Sequence, residues 1–236
     1  NRTSHLHFTK PSFSRSVLLK TIGNGSSEMV TNLANAITTF LFNYTFMRYW
    51  GENGVASITI VMYFQYVLTA IYFGYANGVA PVISFKYGSG EKDQLHRIIQ
   101  SSLCFMIICS VASYVLSHMV SGLVISVFAN RNSAVYQITY EGIKIYSIGF
   151  TLMGINIFIS ALFTALSDGK TSAIISFTRT FLFLSVMILV LPVIWGQSGV
   201  WLAVPVAEAL GMCVAIGFFT GMGKKYLGQH RAVNEQ

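Results

Sequence analysis

The chain has 236 residues, of which 53% are hydrophobic and only 10% are charged, and its formal net charge is +7. Soluble domains carry a charge on about a quarter of their residues, so this composition argues against an ordinary soluble fold. The basic excess does not indicate a nucleic-acid partner, because the basic residues are divided among the ends and breaks of apolar runs.

Long stretches without Lys, Arg, Asp or Glu recur along the chain, for example 54–85, 98–130 and 145–167. A helix needs about 20 apolar residues to cross a bilayer core, and these stretches exceed that length. A soluble helix would instead keep one polar face toward water. The sequence therefore predicts an all-α polytopic membrane protein, a bundle of six transmembrane helices at about 23–47, 54–82, 98–127, 136–166, 171–194 and 200–222.

The basic residues are unevenly divided between the two sides of the predicted bundle. Twelve of the fifteen fall in the two chain ends or near the second and fourth connections, and three fall on the other side. Cytoplasmic segments of membrane proteins are enriched in Lys and Arg. This bias predicts a cell-membrane protein with both termini in the cytoplasm.

The two ends of the chain lie outside the predicted spans. Residues 1–22 are basic and Ser/Thr-rich, which predicts a cytoplasmic linker that is either irregular or includes a short interfacial helix. The transmembrane lobe is predicted over 23–222 and a basic cytoplasmic tail over 223–236. The initial Asn suggests a fragment or a processed chain.

The three cysteines all fall within predicted spans, namely Cys104, Cys109 and Cys213. Their spacing fits neither a disulfide framework nor a metal site. Small apolar packing residues are the simplest interpretation.

Polar residues follow one face of the first span. They recur in steps of three or four residues at Glu28, Asn32, Asn35, Thr39 and Asn43. Such groups are expensive to expose to lipid. The stripe therefore faces either hydrogen-bonded neighbouring helices or a cavity open to water and substrate.

The fourth span has a similar stripe that includes Tyr146, Met153, Asn156 and Ser160. Met adapts to varied ligand shapes, but a packing seam explains the pattern equally well. The second span adds Tyr66 and Asn77. The predicted substrate-cavity residues are Asn35, Thr39, Tyr66, Asn77, Tyr146, Met153, Asn156 and Ser160.

Three of the charged residues inside predicted spans bear on function. Arg179 and Glu208 belong to consecutive antiparallel spans, and we expect them to form a structural charge pair. Glu28 has no basic neighbour at helical spacing. It is either a first-turn acid that stabilises a helix start or a carboxylate that takes up a proton or cation.

The segment IYFGYANGVAPVISFKYGSGEKDQLHRI, residues 71–98, resembles the multidrug and toxic compound extrusion transporters, in which a Gly-rich helix reaches a Pro, a Ser and a Tyr-Gly-Ser-Gly turn. The segment KTIGNGSSEMVTNLANAITTFLFN, residues 20–43, is similar to the opening helix of the second lobe in the bacterial branch. The spacing of Arg179, Pro192, Pro205 and Glu208 resembles the closing helix pair of that lobe.

The resemblance implies half of a twelve-helix fold, in which an absent N-terminal six-helix lobe of the same protein is the partner. Such transporters are membrane antiporters that export small amphipathic or cationic compounds in exchange for Na⁺ or H⁺, with no other cofactor and no enzymatic step. Glu28 and Asn32 then match a cation-coupling position, with Glu28 as a candidate Na⁺ ligand. Asn156 stands where some members place a second acid, which departs from the pattern.

Three alternatives stay open at this point. A lipid-linked oligosaccharide flippase of the related superfamily would favour a basic cavity, whereas the stripes here are neutral or acidic. A six-helix protein working as a homodimer would need no second lobe. An intramembrane enzyme is disfavoured, because the spans contain no hydrolase or metalloprotease motif and no paired aspartates.

Overall fold

The computed structural model describes the backbone of residues 15–222 and the side chains of Arg15, Leu18 and residues 33–221. These residues contain helices and short turns, with no strand among them. Residues 1–14 of the predicted linker (1–22) and the predicted tail 223–236 lie outside the described residues, as do the side chains of Glu28 and Asn32. The backbone of the remaining linker residues, 15–22, is helical.

Six helices form the described part of the chain. The first helical segment, Arg15–Gly88, is divided at Gly51 (φ 60°, ψ −147°) into α1 (15–50) and α2 (52–88). Helix α3 is Lys92–Phe128. Helix α4 consists of Ala134–Tyr146, a 3₁₀ turn at Ser147–Gly149, and Phe150–Ala165.

Helix α5 begins with Gly169–Phe177 and continues through a π-helical turn at Thr178–Phe183. The segment Leu184–Met222 is divided at Gly196 (φ 56°, ψ −133°), so α5 ends at 195 and α6 covers 197–222. Within the described residues, four continuous helical segments are long and apolar enough to cross a membrane. The two longest, of 56 and 53 residues, are the ones that these glycines divide.

The chain reverses direction at both divided positions. A Cβ on Gly54 would lie 2.6 Å from the carbonyl oxygen of Phe46, and one on Gly199 would overlap the carbonyl oxygen of Leu191. In a continuous helix, residues eight apart are about 12 Å from each other along the axis. A positive φ is readily adopted mainly by glycine, and this explains why a glycine occupies both reversals. The predicted six-helix all-α membrane fold is thereby confirmed.

Hydrogen bonds between helix ends show which connections share a side. Tyr49 Oη donates to the Pro192 carbonyl (2.8 Å) at the ends of α1 and α5. At the opposite side, Ser84 Oγ donates to the Ala165 carbonyl (2.8 Å), next to the α2–α3 and α4–α5 turns. The ion pair of Lys86 with Glu91 (2.8 Å) closes the α2–α3 turn, and its hydrogen bond holds the pKa of the Glu91 carboxyl below its usual value.

Helix α4 forms the centre of the bundle. In its most apolar stretch 67% of the residues are buried, against 22% in α3. The other helices turn large apolar side chains outward, as with Val193 (83% exposed) and Val127 (78% exposed). Because lipid replaces water around a membrane protein, this arrangement suits a bundle surrounded by hydrocarbon.

Candidate functional site

A buried polar triad joins three helices of the bundle. Arg179 Nη1 on α5 lies 2.7 Å from Glu208 Oε1 on α6. Asn156 on α4 donates through Nδ2 to Glu208 Oε2 (2.7 Å) and to the Glu208 backbone carbonyl (3.0 Å). Asn156 is fully buried, and the side chains of Arg179 and Glu208 are 10% and 8% exposed. The structure thus brings the two predicted charge-pair residues into direct contact.

Local backbone features place the triad. Arg179 belongs to the π-helical turn of α5, a rare conformation that often occurs at functional sites. Gly211, one turn after Glu208 on α6, leaves room for the aliphatic part of Arg179, since a Cβ there would lie 2.8 Å from Arg179 Cγ. Helices α4 and α6 also approach closely at Gly149, where an added Cβ would lie 3.0 Å from Val204 Cγ1, and this approach brings Asn156 within reach of Glu208.

A cavity of about 260 Å³ adjoins the triad between α2, α4 and α5. We name it the hydroxyl cavity. Its lining residues are Phe73, Asn77, Ala80, Ile157, Ser160, Ala161, Thr164, Ser172, Ser176 and Arg179. Arg179 therefore belongs to both the triad and the cavity wall.

Four hydroxyl groups form a connected network in the cavity wall. Ser160 Oγ lies 2.6 Å from Ser176 Oγ and 3.0 Å from Ser172 Oγ. Thr164 Oγ1 donates to Ser172 Oγ (2.7 Å). Neutral hydroxyls both donate and accept, so this network can present hydrogen bonds of either kind to a ligand.

The predicted cavity residues fall into three groups in the structure. Asn77 and Ser160 line the hydroxyl cavity. Tyr146, Met153 and Asn156 are buried in contacts between helices. Asn35, Thr39 and Tyr66 lie on the outer faces of α1 and α2, where Tyr66 is 56% exposed.

The buried members of the α4 stripe have hydrogen-bond partners on neighbouring helices. Tyr146 Oη donates to Gln65 Oε1 on α2. Thr69 Oγ1, also on α2, donates to Met153 Sδ (3.6 Å). The first part of the stripe therefore joins α4 to α2, while its continuation at Asn156 and Ser160 reaches α6 and α5.

Sequence reasoning did not single out Ser172 and Ser176. Their spacing with Arg179 (steps of four and three) places all three on one face of α5, which is the signal that would have found them. The serines of α3 were also missed. Helix α3 has a face of buried serines, of which Ser110 lies beside Gly154 of α4 and Ser102 accepts a hydrogen bond from Tyr75 Oη of α2. Its members are Ser102, Ser110, Ser113, Ser117 and Ser121.

The described residues include no group of three His, Cys, Asp or Glu side chains that could hold a metal ion. The three cysteines are free thiols. The predicted coupling residues Glu28 and Asn32 lie on the helical part of α1, but their side chains are outside the described residues, so their role stays a prediction.

Comparison with known proteins places this architecture among transporters. A family model described as MatE matches residues 28–191. The chain is 23% identical over 203 residues to the multidrug export protein MepA of Staphylococcus aureus (strain bovine RF122 / ET3-1), covering 85% of this chain and 40% of that protein.

Solved transporter structures share the fold. One is described as the inward-facing conformation of a multidrug resistance MATE family transporter of the MOP superfamily (TM-score 0.78, 20% identity, 90% of this chain and 50% of that one). Another is a MOP superfamily transporter from Pyrococcus furiosus, described as having a binding pocket of reverse polarity. Its TM-score is 0.76 at 19% identity, and the match covers 91% of this chain and 49% of that one. The chain spans about half the length of these structures.

Proposed function

Because this chain belongs to the MatE family of multidrug and toxic compound extrusion transporters, we propose that it forms the second six-helix lobe of a cation-coupled antiporter. The complete transporter exports small amphipathic or cationic compounds across the cell membrane by alternating access. Its substrates bind at the interface of two lobes, the general arrangement of transporters built from repeats. The name of the MepA relative, a multidrug export protein, supports this cargo class.

The observation that carries the proposal is the polar triad and hydroxyl cavity inside an otherwise apolar bundle. Buried ionisable groups in membrane helices are expensive and usually mark a transport pathway or a relay. The Arg179–Glu208 pair is nearly buried, and one of its members lines a cavity between three helices. A purely structural bundle would not need the cavity.

The exposed polar groups of α1 and α2 complete the proposed transport surface. Asn35, Tyr66 and Asn77 are exposed on these two helices although lipid would disfavour their polar atoms. We assign this face to the contact with the first lobe and to the central substrate path. Glu28 and Asn32 on α1 then supply the coupling position for Na⁺ or H⁺.

The test is transport by the intact protein in proteoliposomes with Na⁺ and H⁺ gradients imposed separately. Ethidium should leave against its gradient when one of these cations flows inward. Glu28→Gln should abolish the cation-driven component, because an amide cannot exchange a proton and is a weaker Na⁺ ligand. Glu52→Gln, which neutralises an exposed carboxylate at the start of α2, is the matched control and should retain transport.

Two results would overturn the proposal. One is ethidium movement that neither gradient drives. The other is unchanged cation dependence in correctly inserted Glu28→Gln protein.

A further inference from the structure

Lys144 places a cation on a helix face that turns toward lipid. It lies on α4 with an exposed side chain, and it takes part in no ion pair within the described part of the chain. One turn further along, Ile148 on the same face is an apolar side chain that is 44% exposed. A cation among lipid-facing side chains is expensive, so it must reach the membrane interface or an anion.

The position of Lys144 along α4 puts its ammonium at the edge of the hydrocarbon. The helical segment Ala134–Ala165 has 32 residues, about 48 Å in length, and so exceeds a hydrocarbon core of about 30 Å by roughly 9 Å at each end. Lys144 follows Ala134 by ten residues, about 15 Å, so its backbone is about 6 Å inside the hydrocarbon edge. Side chains on a helix point toward its N-terminus, and for Lys144 that is the direction of the interface.

The contacts of the Lys144 side chain agree with that direction. Its Nζ lies 4.5 Å from the centroid of the Tyr140 ring, one turn nearer the interface. Tyr136 stacks on Tyr140 in turn, with the ring centroids 5.9 Å apart. Cations are attracted to aromatic faces, and tyrosine is common where a membrane helix meets water. An aromatic ring carries no net charge, so the ammonium still lacks a counterion and keeps its N–H donors for an anion.

Helix α3 adds a histidine at the same level. A Cβ on Gly122 would lie 3.3 Å from Tyr136 Oη and 4.0 Å from the Tyr140 ring, so this face of α3 borders the two tyrosines. The helices are antiparallel, so one turn back on α3 corresponds to one turn forward on α4. His118, which is exposed, therefore comes to the level of Tyr140 and Lys144.

The imidazole of His118 has one nitrogen left for a ligand. Its Nδ1 lies 3.0 Å from the Tyr114 carbonyl oxygen, which can only accept, so Nδ1 carries the proton and the neutral ring presents Nε2 as an acceptor. The Tyr114 ring packs against the imidazole, with the ring centroids 4.5 Å apart. The groove between α3 and α4 thus offers a cation for a phosphate and an acceptor for a hydroxyl.

We propose that this groove binds the headgroup of an anionic phospholipid, with Lys144 on the phosphate and His118 Nε2 on a headgroup hydroxyl. Phosphatidylglycerol has this chemistry, since it carries a net negative charge and a hydroxyl-bearing headgroup. Phosphatidylcholine is neutral, has no hydroxyl and would bring another cation to Lys144. Toward the bilayer centre the groove continues with exposed apolar side chains that suit the acyl chains, namely Val111, Val115 and Ile148.

The experiment measures which lipids lie beside the groove in the intact protein. Met119, the neighbour of His118, is 77% exposed, and Leu189 on α5 is 51% exposed. In a background with the three native cysteines replaced, each is changed to Cys in turn and labelled with bimane. The vesicles are phosphatidylcholine with a minor fraction of phosphatidylglycerol or phosphatidylcholine that carries a nitroxide on the same acyl carbon. Because the nitroxide depth is the same, the ratio of quenching by the two lipids reports headgroup preference.

At the Met119 position, phosphatidylglycerol should associate at least about fivefold more strongly than phosphatidylcholine, since one lysine near a membrane surface contributes about this factor. At the Leu189 position the two lipids should quench equally. Lys144→Gln should lower the preference about fivefold, and Lys144→Arg, which keeps the charge, should retain it. His118→Leu should lower it about threefold through the loss of one hydrogen bond.

Lys170→Gln is the matched control, because it removes an exposed lysine at the start of α5, on the opposite side of the bundle, and should leave the preference unchanged. An equal loss in Lys170→Gln and Lys144→Gln would overturn the proposal. So would the same preference at the Met119 and Leu189 positions.

The comparison of the two lipids in protein that keeps Lys144 covers a Lys144→Gln variant that does not fold. Equal quenching by both lipids at the Met119 position would refute the site, including the case in which an acidic residue outside the described part of the chain pairs with Lys144. Gradient-driven transport enters none of these outcomes, so the lipid site and the function proposed above are tested separately.

Discussion

At the scale of single residues, the Arg179–Glu208 pair combines close contact with nearly complete burial. The two charges are 2.7 Å apart, and Asn156 supplies a further hydrogen bond to the carboxylate. A buried ion pair adds little net stability relative to apolar residues, but removal of one partner leaves an uncompensated charge. The pair therefore constrains which substitutions α5 and α6 tolerate together.

The first prediction concerns that coupling. Glu208→Gln should destabilise the protein by about 3 kcal/mol, because Arg179 keeps its charge and loses its counterion. The double change to Gln at both positions should recover most of the loss. Thermal unfolding midpoints of the purified protein in detergent measure both effects, and strictly additive losses would contradict direct pairing.

A second prediction concerns a contact between α4 and α6. Gly142 lies against the buried Trp201 ring, and a Cβ at this position would overlap the indole atoms. Gly142→Ala should destabilise the protein by about 1–3 kcal/mol through overpacking. Gly74→Ala is the control, because nothing lies within 4 Å of the place its Cβ would take and alanine favours a helix.

Unfolding midpoints again provide the measurement. A stable Gly142→Ala protein, or equal effects of the two alanine substitutions, would show that the Trp201 contact is not tight in solution.

At the scale of secondary-structure elements, the two helical reversals repeat one sequence pattern. The α1–α2 reversal has Trp-Gly-Glu-Asn-Gly-Val at 50–55, and the α5–α6 reversal has Trp-Gly-Gln-Ser-Gly-Val at 195–200. Both first glycines have φ near 60° with strongly negative ψ. Both second glycines touch the backbone of the preceding helix. One local solution thus reverses the chain twice on the same side of the bundle.

The third prediction follows from this backbone conformation. Gly51→Ala and Gly196→Ala should each destabilise the protein by about 1–3 kcal/mol, because alanine is strained at a positive φ. Steric overlap is not the cause, since nothing lies within 4 Å of the added methyl group at either site. Gly217→Ala, in the helical part of α6 with similarly open space, should be neutral or stabilising. Thermal unfolding midpoints compare the three variants, and equal midpoints would mean that the backbone adapts.

At the scale of the whole molecule, the connections fall into two groups on opposite sides of the bundle. The α2–α3 and α4–α5 turns lie together, as the Ser84–Ala165 hydrogen bond indicates. The reversals at Gly51 and Gly196 lie at the other end, near the Tyr49–Pro192 hydrogen bond. The charge bias predicts that the α2–α3 side faces the cytoplasm.

The fourth prediction tests this orientation by cysteine labelling in intact cells. In a background with the three native cysteines replaced, Asn132→Cys should react with a membrane-impermeant maleimide, and Ser89→Cys should react only after permeabilisation. Both side chains are exposed at opposite ends of α3, which makes them a matched pair. The reverse labelling pattern would place the termini outside the cytoplasm.

Much of the architecture follows directly from the sequence. The predicted spans match the six helices, because a membrane segment must satisfy its backbone hydrogen bonds internally over the thickness of the bilayer. The structure lengthens several of them, as α2 continues to Gly88 rather than 82 and α3 begins at Lys92 rather than 98. Hydropathy marks the apolar core of a helix and not the polar turns with which it extends beyond the membrane.

The site was predictable only in part. Periodicity identified the faces of α4 and α1, but it could not distinguish Tyr146 and Met153, which are buried against α2, from Ser160, which lines a cavity. A repeat of three to four residues fixes which side chains share a face and says nothing about the helix opposite. Ser172 and Ser176 belong to the site because their hydroxyls contact that of Ser160 on another helix, and their own local sequence does not show this contact.

The sequence by itself determined that this is a polytopic α-helical membrane protein, because hydrocarbon imposes a length and a composition on each crossing segment. The family was indicated by motifs such as residues 71–98 and shown by the family model that matches residues 28–191. Only the tertiary structure decided that Asn156, Arg179 and Glu208 form one buried triad beside a hydroxyl cavity. That outcome depends on helix rotation and on close approaches at Gly149 and Gly211. Helix rotation and close approach are set by packing between segments that are distant in the sequence, and local residue patterns do not encode that packing.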